Sequence, residues 1–145
     1  MQESGFEFKT GQKGLKKVLG PLESDIMELV WAKGQVTVRE IHEALINGTA
    51  KNLAYTTVMT TMSRLAKKNI LRVIKEGTAY TYTPVTSREN FLNNVVGEVV
   101  DGLLSDFSEP ALAHFVDRIK DVDPVKLQQL ADLINRQKQG SAEKL

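Results

Sequence analysis

Residues 54–69, AYTTVMTTMSRLAKKN, decide how the chain is read. Wound as a helix at roughly 100° per residue, Val58, Met62 and Leu65 fall on one side with Tyr55 at the margin. Thr56, Thr57, Thr60, Ser63, Arg64 and Lys67 occupy the other side, so one face is apolar and the opposite one is hydroxyl-rich and cationic. Threonine loses rotamer freedom in a helix, so this threonine content serves something other than local stability. Short polar side chains let a helix surface approach a partner closely.

Working outward, residues 70–85, ILRVIKEGTAYTYTPV, carry two short runs rich in Ile, Val, Tyr and Thr. They predict a β-hairpin turning at Lys75-Glu76-Gly77-Thr78 and closed by Pro84. On the other side, Thr37-Val-Arg-Glu40 has the spacing of a capping box and starts a helix with Val38, Ile41, Ala44 and Leu45 as its buried stripe, stopped at Asn47-Gly48. Before it, Leu22, Ile26, Met27, Leu29 and Val30 recur at helical spacing from Gly20-Pro21 to Lys33-Gly34, with Trp31 expected in a core. Three helices and a hairpin in about 65 residues have the layout of a winged helix-turn-helix. Residues 1–20, rich in Gly and Lys, show no useful apolar period and are expected to be a flexible basic arm.

From Thr86 the strand signals stop. Thr86-Ser-Arg-Glu89 reads as a second capping box, and Phe91, Leu92, Val95, Val96, Val99, Val100, Leu103, Leu104 and Phe107 form one wide apolar face. Ser108-Glu-Pro110 interrupts it. A shorter helix presents Ala111, Leu112, Phe115, Val116 and Ile119, and Asp123-Pro124 opens a last one with Leu127, Leu130 and Ile134. So small a segment cannot bury these faces comfortably alone, so pairing with an identical chain is expected, with packing onto the first helix as the plainer alternative. The fold class is thus mainly α with a small β wing: a winged helix-turn-helix DNA-binding domain at 21–85 and a helical dimerisation domain at 86–138, with a disordered tail at 139–145. The dimerisation contacts are expected from Phe91, Val95, Val99, Leu103, Leu112, Phe115, Val116, Leu127, Leu130 and Ile134.

With 145 residues, 41% hydrophobic and 26% charged, the chain has room for one or two small domains. The absence of cysteine excludes disulfides, thiol chemistry and thiolate metal sites, and His42 and His114 are too far apart in sequence to suggest a ligand pair, so no metal or cofactor is expected. No apolar run reaches the roughly 18 to 20 residues of a membrane span, and MQESGFEFKT lacks the blocks of a signal peptide, so a cytoplasmic location is expected. There is no phosphate loop and no nucleophile constellation, so an enzyme is not expected. A net charge of +1 is not the strongly basic footprint usual for a nucleic-acid partner. It conceals a split, however: residues 1–85 hold 12 Lys+Arg against 8 Asp+Glu, residues 86–145 hold 7 against 10, and the stretch 48–85 alone is +5.

These residues suit double-stranded DNA. Threonine hydroxyls meet donors or acceptors in a major groove and threonine methyls touch thymine methyls; Arg64 suits either a bidentate guanine contact or a phosphate. Lys67 and Lys68 end the helix where phosphates would be reached, and Lys75 and Thr78 sit at the wing tip, with Tyr80 or Tyr82 on the strand beside them. One of the two tyrosines is expected to pack beneath the wing, since alternate strand residues face opposite sides. His42 reads as a surface or satisfied core residue.

LGPLESDIMELVWAKGQVTVREIHEAL, LAYTTVMTTMSRLAKKNIL and GTAYTYTP together resemble the penicillinase-repressor family, the BlaI, MecI and CopY type of winged-helix transcriptional repressors, over residues 19 to 136. The resemblance implies a homodimer that binds a palindromic operator through its N-terminal domains, with contacts on Thr56, Thr57, Thr60, Thr61 and Arg64. It also implies an upstream sensor or protease. Copper sensing through paired C-terminal cysteines is excluded by the lack of cysteine, and the family's Asn-Phe cleavage pair corresponds here to His114-Phe115. Two other readings are a winged-helix protein-interaction module without operator binding and a repressor released by a small molecule.

Overall fold

The computed structural model describes residues 7–48 and 50–143. Helix α1 (Pro21–Lys33) opens with proline at its first position, where the missing N–H costs nothing, and stops at Gly34, whose φ of 91° suits glycine. Helix α2 (Val38–Ile46) is capped as its sequence predicts: the Glu40 amide donates to Thr37 Oγ1 at 3.1 Å. Helix α3 (Tyr55–Lys67) ends at Asn69, which takes the left-handed conformation with φ 62°. The Ile70 amide then donates to the Leu65 carbonyl and the Asn69 amide to that of Ala66, both at 3.0 Å, so the end of α3 is satisfied by its own backbone.

Strands β1 (Leu71–Glu76) and β2 (Ala79–Pro84) pair antiparallel, with Val73 opposite Tyr82 and Glu76 opposite Ala79. The turn is therefore Gly77-Thr78, one residue beyond each end of which the ladder resumes; Lys75 pairs with Tyr80 and lies in the strand. Gly77 has φ 63°, which is why glycine stands there. Val36 exchanges two backbone hydrogen bonds with Tyr82, of 2.9 and 2.7 Å, and these tie the hairpin to the α1–α2 connection.

The core of this winged helix-turn-helix is made by Ile26, Met27 and Val30 of α1, Ile41 and Leu45 of α2, Val58, Met62 and Leu65 of α3, and Leu71 and Tyr82 of the wing. Two contributions to it differ from the sequence expectation. Leu15, Val18 and Leu19 are buried beside a 3-10 turn at Gly14–Lys17, so this part of residues 1–20 is docked rather than a free arm. Three apolar residues within five suffice to seat one turn, although they are too few to show a period. Residues 1–6 lie outside the described residues.

Phe91 and Val95 also belong to this core and are buried in it, which removes both from the expected dimerisation set. They sit on helix α4 (Arg88–Asp106), whose first turn is capped by Ser87 Oγ accepting from the Asn90 amide at 3.1 Å, one residue later than the Thr86 box. The Phe91 ring lies 5.4 Å from that of Trp31, and Trp31 Nε1–H donates to the Thr86 carbonyl at 3.0 Å. Accordingly the chain divides into compact units after Glu98, within α4, rather than after Val85.

The second unit holds the end of α4, α5 (Ser108–Val122) and α6 (Pro124–Glu143). Helix α6 extends beyond Lys138 into the expected disordered tail, carried by good helix formers among Gln137–Glu143; the last two residues lie outside the described ones. Among the described side chains after Val95, none is buried. Leu103, Leu112, Phe115, Val116, Leu127 and Ile134 are exposed, and Val99 and Leu130 half-buried.

Candidate nucleic-acid interface

Helix α3 presents its polar face to solvent. Thr56, Thr57, Thr60, Arg64 and Lys67 are all exposed, and none of these side chains has a partner among the described residues. The helix has no acidic residue in its first turn and carries Arg64 and Lys67 in its last, so the face is uniformly free of negative charge. Its orientation is fixed from beneath by Val58, Met62 and Leu65, each fully buried. At its start, His42 Nε2–H donates to the Leu53 carbonyl at 2.8 Å and the imidazole meets the Tyr55 ring edge-on at 5.6 Å. His42 thus steadies the α2–α3 connection, the structural role expected of it.

Thr61 does not join that face. It is 6% exposed, and its hydroxyl donates to the Thr57 carbonyl one turn back at 2.7 Å, which leaves no donor to offer a base. Its helical phase is borderline, about 40° from Leu65 on one side and about 40° from Thr57 on the other, and the bond to the Thr57 carbonyl turns it inward. Lys68 is also withdrawn, because its ammonium pairs with Glu23 at 3.1 Å. At the wing, Thr78 is exposed in the turn and the Lys75 ammonium lies 5.5 Å from the centre of the Tyr80 ring. Tyr80 is exposed and Tyr82 buried, so the two tyrosines divide between solvent and core as their alternation requires.

Between α2, α3 and the wing runs an open groove of about 420 Å³ lined by Arg39, Tyr55, Met59, Ser63, Thr78 and Tyr80 among others. Met59 is the residue that sequence reasoning passed over. It is neither in the apolar cluster nor among the polar residues, and its phase, about 40° from Ser63, was the available signal.

Residues 19–136 match the family described as penicillinase repressor, which is most of the chain. The chain belongs to the penicillinase-repressor family. As a member it is a DNA-binding transcriptional repressor of the winged-helix kind. It is 42% identical over 106 residues to the transcriptional regulator BlaI of Mycobacterium tuberculosis, a match covering 70% of this chain and 73% of that one. Among solved structures, the DNA-binding domain of the repressor BlaI matches with a TM-score of 0.44 at 24% identity, over 55% of this chain and 93% of that domain. Bacillus licheniformis BlaI, in monomeric form in complex with the blaP half-operator, matches with a TM-score of 0.42 at 25% identity, over 50% and 85% of the two chains. No helix among the described residues is long and apolar enough to cross a membrane.

Proposed function

We propose that this repressor acts as a homodimer on a palindromic operator, each chain placing α3 in the major groove of one half-site. The observation that carries the reading is the unpartnered face of α3: three threonine hydroxyls and a guanidinium on a helix anchored to the core by its opposite side. Thr56, Thr57 and Thr60 would meet base edges, Arg64 a guanine or a phosphate, and Lys67 a phosphate past the helix end. Thr78 and Lys75 would follow the backbone from the wing.

The homodimer rests on the second unit. Helices without a buried side chain among the described residues, bearing Leu103, Leu112, Phe115, Val116 and Ile134 in the open, have not buried their apolar surface within one chain. A second copy provides that burial with two-fold symmetry, and symmetry in the protein matches symmetry in the operator. The second unit, residues 99–145, holds 6 Lys+Arg against 8 Asp+Glu, and this net −2 repels phosphate, so DNA contact is assigned to the first unit. A bound dimer excludes polymerase, and an upstream sensor or protease would release it.

Selection from a random duplex pool tests this. The reading expects enrichment of a palindrome whose half-sites lie about one helical turn, roughly 34 Å, or a multiple of it apart. No enrichment, together with capture of a protein partner through the same unit, would instead favour an interaction module.

A further inference from the structure

Two rows of side chains run along the solvent face of α3. Thr56, Thr60 and Arg64 form one; Tyr55, Met59 and Ser63, also four residues apart, form the next, and this second row borders the wing groove with Thr78 and Tyr80. Met59 is 42% exposed, whereas the other large aliphatic residues of the helix, Val58, Met62 and Leu65, are 0% exposed. Folding covers part of Met59 against the groove, but a large part of its aliphatic side chain stays in water beside threonines and an arginine. Burying that remainder requires a partner that covers it.

We infer that Met59 is a specificity-determining residue, reading the 5-methyl group of a thymine in the major groove. The inference rests on the proposal that α3 enters that groove. Thymine alone among the four bases presents an apolar group there, and contact with it is how apolar side chains distinguish bases. Methionine suits the task, being unbranched, polarisable and able to adjust its three torsions to a methyl group whose position varies with local DNA shape. The neighbouring Thr60 and Ser63 hydroxyls supply the hydrogen bonds that Met59 cannot, so one α3 surface would combine methyl and polar readout. If Met59 only steadied the wing, its loss would lower the melting temperature and leave base preference untouched.

The test uses the full chain and the duplex it enriches most strongly from a random pool, with each thymine replaced singly by deoxyuridine, which lacks only the methyl. Wild-type protein should lose about fourfold in affinity at one thymine per half-site, the worth of one buried methyl-sized group. Met59→Ala should lose that sensitivity while keeping the profile at every other position, and Met59→Leu should restore it. Met59→Gln, similar in length and polar, serves as the second variant should the alanine form melt. An unchanged deoxyuridine profile in a folded Met59 variant, or a wild-type profile with no sensitive thymine, overturns the inference while leaving the operator reading intact. Failure of the wild-type chain to enrich any duplex overturns both.

Discussion

Glu23 pairs with Lys68, 45 residues away, and so joins the start of α1 to the end of α3. One carboxylate oxygen accepts from the Lys68 ammonium at 3.1 Å, and the other accepts from the Gly20 amide at 3.0 Å. The Glu23 side chain is largely buried and that of Lys68 about one-third exposed, so the pair is less screened than a free surface contact. Two lysines adjacent in sequence therefore differ: Lys68 braces the helix, and Lys67 is exposed without a side-chain partner among the described residues.

Paired substitutions separate the two. Lys68→Ala should lower unfolding free energy by roughly 1 kcal/mol, measured by urea titration, and leave the salt dependence of duplex binding unchanged. Lys67→Ala should leave stability unchanged and reduce the slope of log affinity against log salt by about 0.9, the signature of one phosphate contact. Equal salt slopes for the two variants would contradict this division.

Threonine hydroxyls on α3 should divide in the same manner. Thr61→Val removes a hydroxyl already bonded to the Thr57 carbonyl, and the expected change in stability is within about 1 kcal/mol with no change in the selected sequence. Thr60→Val, on the exposed side, should alter the preferred base at one position per half-site. Sequencing the pools enriched by each variant reads both outcomes.

Arg64→Ala should relax discrimination at a single G·C pair by about 1–3 kcal/mol, measured by competition among duplexes mutated one pair at a time. A loss of the same size against every duplex would assign the guanidinium to the backbone instead.

Phe91 and Phe115 both belong to the expected dimerisation set and lie in different environments in the fold. Phe91 is 6% exposed against Trp31, and Phe91→Ala should destabilise the first unit by about 3–5 kcal/mol. Phe115 is 53% exposed on α5, and Phe115→Asp should leave the melting of the first unit unchanged while shifting sedimentation toward a monomer.

That contrast shows where the sequence was readable. Helices with a cap and a stop, such as Thr37 to Asn47, or an α3 whose apolar residues share one phase, declare their limits through local chemistry. The α4 stripe does not, because regular spacing records that residues share a face and not what covers it. Its first half is covered by Trp31 and its neighbours in the first unit, while Val96, Val100, Leu103 and Leu104 are exposed. Leu15, Val18 and Leu19 escaped for the opposite reason, forming too short a set to give a period. On the polar face of α3, the hydroxyl row was legible from helical phase; Thr61, at the border by phase, came only from family resemblance, and Met59 lay between the two classes.

Two copies of the first unit, which carries a net +3 over residues 1–98, are proposed to read DNA with two-fold symmetry, and a hydroxyl-radical footprint on the selected duplex tests this most directly. Two equivalent protected patches related by a dyad, centred about 10 base pairs or a multiple of that apart, are predicted. A single unsymmetrical patch would contradict it.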